Sequence, residues 1–141
     1  MSQRRPLLKL TLVAALFMFV WCAVPAFADM QCTTWAHIKR PDLPWLQLGD
    51  AKTWDTRARD LGYAVDRTPA PGDIAVWQAG QCNRDNHGCA GNLGHVAYVS
   101  AVLGPKKIRI SEANWPTGSG PRSTTVNPRG LVFIHGPAAS R

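Results

Sequence analysis

Two β-rich runs, His95 to Leu103 and Lys107 to Ser111, are separated only by Gly104-Pro105-Lys106. So short a link turns the chain straight back, and the runs must pair as an antiparallel hairpin. Side chains alternate across a strand, so His95, Ala97, Val99 and Ala101 share one face. The second run places Ile108, Ile110, Glu112 and Asn114 on one face if it stays regular that far. With Gly104-Pro105 as the turn, Leu103 pairs with Lys106. His95 then lies opposite Asn114, with Glu112 diagonal to it on the same face.

Other elements follow from punctuation. Eleven prolines and twelve glycines exclude long helices after the N-terminus. Cys32 to Ile38 reads as a short helix that stops before Pro41, and Asp42 to Leu46 as a connecting loop. Asp50 caps a second helix whose apolar positions are Ala51, Trp54, Ala58 and Leu61, ended by Gly62. Ile74 to Trp77, Ser123 to Val126 and Leu131 to His135 supply further strands. Two helices followed by an antiparallel sheet is an α+β arrangement.

The first 28 residues read as a signal peptide. Arg4, Arg5 and Lys9 precede an apolar run from Leu10 to Val24, and Ala26-Phe27-Ala28 is an A-x-A cleavage site. The run is shorter than the roughly 20 residues of a spanning helix. Cleavage leaves residues 29–141 as one exported domain, periplasmic or secreted, with no membrane segment. Losing three of sixteen basic residues takes the formal charge from +7 to +4. The remaining basic residues are scattered, which excludes a nucleic-acid footprint.

The exported part holds three cysteines, Cys32, Cys82 and Cys89. An odd count in an oxidising compartment leaves one thiol unpaired. Cys82 and Cys89 lie in one short polar loop and can bridge locally, which leaves Cys32 free. His87 between them raises the thought of a zinc cluster, but three ligands are too few and export favours a disulfide. No metal or cofactor is expected.

A thiol nucleophile needs an imidazole to exchange its proton and a polar group to orient that imidazole. Cys32 opens a helix, where unpaired N–H groups favour a thiolate. His95 follows Gly94 at a strand start, and Glu112, the only glutamate in the chain, shares its face. His37 reads as solvated and His135 as structural. Trp35 and Trp54 read as core, whereas Trp45 and Trp115 are core or groove walls.

Gln31-Cys32-Thr33-Thr34-Trp35-Ala36, Gly49-Asp50-Ala51-Lys52-Thr53-Trp54, Pro71-Gly72-Asp73-Ile74-Ala75-Val76, Gly94-His95-Val96-Ala97-Tyr98-Val99, Ile110-Ser111-Glu112-Ala113-Asn114-Trp115 and Phe133-Ile134-His135 occur in that order. This ordered set resembles the CHAP family of cysteine, histidine-dependent amidohydrolases and peptidases. The resemblance implies a papain-like α+β fold and hydrolysis of an amide bond in peptidoglycan. It makes Cys32 the nucleophile, His95 the general base and acid, and Glu112 with Asn114 the orienting groups. The Cys32 N–H and Gln31 are candidate oxyanion donors. The rival reading is a module on the same fold that grips wall peptides or a partner protein without cleaving them. The loop from Gln81 to Leu93 stands out as an insertion, and the short segment before Cys32 offers no calcium loop.

Overall fold

The computed structural model describes residues 30–83, 85 and 87–136. The signal peptide and its cleavage site lie outside the described residues. Three short helices come first: α1 (Cys32–Lys39), α2 (Trp45–Leu48) and α3 (Trp54–Asp60), with a 3-10 turn over Ala51–Thr53 leading into α3. Six strands follow: β1 (Val65–Asp66), β2 (Ile74–Trp77), β3 (His95–Gly104), β4 (Lys107–Glu112), β5 (Arg122–Val126) and β6 (Val132–Ile134). They form one sheet in the order β1-β6-β2-β3-β4-β5, every pair antiparallel.

All four residues of β2 are buried, because both faces of the sheet are covered. Ile74 and Val76 pack with Val96 and Ile134 against Ala36, Leu48, Trp54 and Ala58 of the helices. Ala75 and Trp77 face the other way, into a second cluster with Ala97, Val99, Ile108, Ile110, Trp115 and Phe133. Each large side chain so buried contributes about 1.5–3 kcal/mol relative to exposure.

The hairpin forms with a shifted turn. Gly104 pairs with Lys107, so Pro105-Lys106 is the turn, one residue later than expected. Two irregularities, between Val99 and Ala101 and between Val102 and Gly104, absorb the offset. Tyr98 then faces Ser111 and Val99 faces Ile110, the register expected at the far end. That is the end that positions His95 and Glu112.

Several local expectations change. Trp45–Leu48 forms a turn of helix where the sequence reads as loop. Asp50 makes no side-chain cap; the Thr53 hydroxyl donates to the carbonyls of Leu48 and Asp50 instead. Leu61 is 44% exposed, because α3 ends before it. Trp35 is half-buried and donates its indole N–H to Ser111 Oγ at 3.0 Å. His37 stacks on Trp45, with ring centroids 5.5 Å apart.

A polar cluster ties the last strand to the rest. The buried Arg40 guanidinium donates to the carbonyls of Gly72, Ile134 and His135 and pairs with Asp42. His135 bridges two carboxylates, Asp66 at 2.9 Å and Asp73 at 3.1 Å. Burial alone lowers the His135 pKa, but the hydrogen bond to Asp66 and the charges of Asp73 and Asp66 outweigh it and raise it. The folded state therefore holds the proton more tightly than the unfolded chain. That stabilisation is fully present below the unfolded value of about 6.5 and fades as pH rises through the higher folded value. His135→Gln should flatten the loss of Tm on going from pH 6.5 upward, measured against the parent protein. An unchanged pH slope would refute this role.

Candidate active site

Cys32 is the first residue of α1 and His95 the first of β3, and both line one cleft of about 730 Å³. Gln31, Asn114 and Trp115 also line it, together with residues 87–89 and 91–94 of the segment before β3. Gly94 is required where it stands. Its φ is +76°, and a Cβ there would lie 2.6 Å from the Trp77 carbonyl oxygen and 2.7 Å from the Lys52 nitrogen. This close approach seats His95 in the cleft wall.

Behind His95 stands Glu112, fully buried at the end of β4. His95 Nε2 lies 2.9 Å from Glu112 Oε2. Facing a carboxylate, Nε2 carries the ring proton, which leaves Nδ1 as the free acceptor. The other carboxylate oxygen, Oε1, accepts from Arg122 Nε at 3.0 Å and Nη2 at 2.8 Å. It also accepts from His87 Nε2 at 2.9 Å. Burial pushes the Glu112 pKa up, but the hydrogen bonds from His87 and His95 overcome it and bring it down to about 2. The carboxylate is ionised throughout the physiological range.

Burial lowers the His95 pKa, against the opposing pull of the Glu112 hydrogen bond and charge. Burial also raises the Cys32 thiol, and it outweighs the N–H groups of Val96, Thr33 and Cys32 that favour the thiolate. The helix start by itself therefore does not make Cys32 a thiolate. Both shifts run in the direction of the uncharged forms, and both have burial as their first cause.

Asn114 occupies a different place from the one expected. β4 ends at Glu112, and Asn114 takes a left-handed φ of +59°, tolerated by asparagine. Its Oδ1 accepts from the Gly118 N–H, and its Nδ2 donates to Gln31 Oε1 at 3.0 Å. Its side chain thus holds Gln31 rather than the imidazole, and leaves the Gln31 amide NH2 as the end able to donate. Of the two readings open for Trp45, core or groove wall, the structure shows the first: it packs on His37 and the helix-side core, away from the cleft. Trp115 lines the cleft, with its ring centroid 4.6 Å from that of His95.

Cys82 and Cys89 form a disulfide, and Cys32 is the free cysteine among the described residues. Two residues on Glu112 were missed from the sequence. Arg122 is its directly opposed partner across β4 and β5, a cross-strand opposite-charge pair that becomes visible once the β5 register is known. His87 reaches it from the disulfide loop, and only its presence inside a stapled loop hinted at a fixed position.

A family model for the CHAP domain matches residues 21–114, and the chain belongs to this family. Its α+β architecture is the papain-like arrangement of that family. A crystal structure of N-acetylmuramoyl-L-alanine amidase from Staphylococcus aureus matches it with a TM-score of 0.64 and 31% identity, covering 76% of this chain and 30% of that one. By sequence, an N-acetylmuramoyl-L-alanine amidase domain-containing protein of Staphylococcus aureus is 42% identical over 67 residues, 48% of this chain and 10% of its own length. Staphylococcal secretory antigen SsaA of the same species is 36% identical over 91 residues, 62% of this chain and 31% of its own length. The chain spans between a tenth and a third of these curated relatives.

Proposed function

We propose that this chain is an exported cysteine hydrolase that cleaves an amide bond of peptidoglycan, either between muramic acid and L-alanine or within the peptide. The observation that carries the reading is the convergence of Cys32 and the Glu112-anchored His95 on one cleft. The amidase relatives support the substrate class, and the secretory relative supports export. No helix among the described residues is long and apolar enough to cross a membrane.

In the first step Cys32 Sγ attacks the amide carbon as its proton passes to His95 Nδ1. The ionised Glu112 stabilises the imidazolium that forms. The tetrahedral oxyanion accepts hydrogen bonds from the Cys32 N–H and the Gln31 side-chain NH2, the latter oriented by Asn114. Collapse breaks the C–N bond, His95 protonates the departing amine, and a thioester remains. Water, deprotonated by His95, then attacks the thioester, releasing the carboxylic acid and restoring the thiol.

Purified peptidoglycan incubated with the protein should yield muropeptides with new free amino termini and no new reducing sugar ends. Mass spectrometry of those fragments names the bond. Binding to the wall without any new amino terminus would overturn the enzyme reading in favour of a non-catalytic peptide-binding module.

A further inference from the structure

His87 has no part in the steps above, yet its side chain is only 4% exposed and its Nε2 lies 2.9 Å from the carboxylate behind His95. Its ring stacks on Trp115, with centroids 4.8 Å apart and planes 11° from parallel. It also stacks on Trp77, at 5.8 Å and 26°. The loop that carries it is closed by the Cys82–Cys89 disulfide and tied down by the Trp115 indole, which donates to the His87 carbonyl at 2.6 Å. A buried side chain packed against two indoles has few rotamers left, so its N–H is aimed rather than adaptable.

We propose that His87 is a positioning residue of the active site, donating to Glu112 Oε1 so that Oε2 stays fixed on His95. Arg122 shares Oε1 but is 39% exposed, so it competes with water for that contact. His87 is the buried donor. Without it, Glu112 is free to turn toward Arg122 and solvent, and the imidazolium of His95 loses its anchor. The inference rests on the site assignment above, but it is readable without any substrate.

The test is the rate at which iodoacetamide alkylates Cys32 at pH 7, followed for that residue by peptide mass mapping. The rate reports how readily the thiol proton moves to His95. His87→Phe keeps an aromatic ring against the indoles and removes the donor. It should slow alkylation about tenfold, the effect of removing one hydrogen bond to a charged group. His87→Gln restores an N–H donor and should return the rate to within about threefold of the parent, because the same carboxylate contact is available. Turnover of a soluble muropeptide should show the same ranking in kcat, with KM unchanged.

Melting curves establish that each variant is folded. If His87→Phe unfolds, His87→Leu and His87→Gln provide the same donor contrast. Parental alkylation rates in a folded donor-free variant would overturn the proposal, as would failure of glutamine to rescue. A parent protein that does not cleave peptidoglycan, but keeps the alkylation contrast, would instead overturn the hydrolase reading and leave the role of His87 standing.

Discussion

Cys32→Ala should abolish peptidoglycan cleavage and leave the fold intact. The substitution deletes one sulfur from a half-buried position. Alanine is close in volume to the side chain it replaces, so the expected cost is about 1 kcal/mol. Turnover should fall at least about 10⁴-fold, since no other free thiol among the described residues lines the cleft with His95. Cys32→Ser should be nearly as inactive, because surroundings that already raise a thiol resist ionising a hydroxyl far more strongly. Muropeptide release and a thermal melt read both halves of the expectation. Retained cleavage in Cys32→Ala would remove the proposed mechanism whatever the fold.

Glu112→Gln should be almost as damaging, although an amide can still hold a ring. Around Oε1 stand three N–H contacts, two from Arg122 and one from His87. An isosteric glutamine satisfies them only by turning its carbonyl oxygen that way. Its NH2 then faces His95 Nε2, which must give up its proton to become an acceptor. The imidazole shifts to the tautomer with hydrogen on Nδ1, and the base that should take the Cys32 proton is lost. A wrong tautomer costs about 10⁴-fold in turnover. Weakening hydrogen bonds that involve the charged carboxylate should also lower stability by about 2–3 kcal/mol. Near-parental kcat in this variant would contradict the placement of Glu112 behind His95.

The parts legible in the sequence were those fixed by local periodicity. The alternation from His95 to Ala101 and from Ile108 to Glu112 brought histidine and glutamate to one face, even with the turn misplaced by one residue, because the strand irregularities absorbed the offset before the site. Periodicity fails where the strand stops. Asn114 left the face because a left-handed residue breaks the alternation, and the one local sign of it, an asparagine before Trp115-Pro116, reads equally well as the end of a regular strand. His87 and Arg122 were illegible for a different reason. Each meets Glu112 through the third dimension, one by a loop folding over the sheet and one by a strand whose register depends on its partner. The opposing effect of burial on Cys32 was equally invisible, since helix position can be read from a sequence but desolvation requires knowing what covers the thiol.

The place of β6 bears on how such a chain completes itself. The last strand is inserted between β1 and β2, so Ile74 and Val65 both wait for Ile134. A ribosome delivers β2 long before the strand that covers one of its edges. Until residues 132–134 arrive, an apolar strand buried on both faces in the finished protein presents an open row of amide and carbonyl groups. Pairings this distant along the chain slow folding. Truncation before Val132 should therefore produce a self-associating chain rather than a slightly shorter domain.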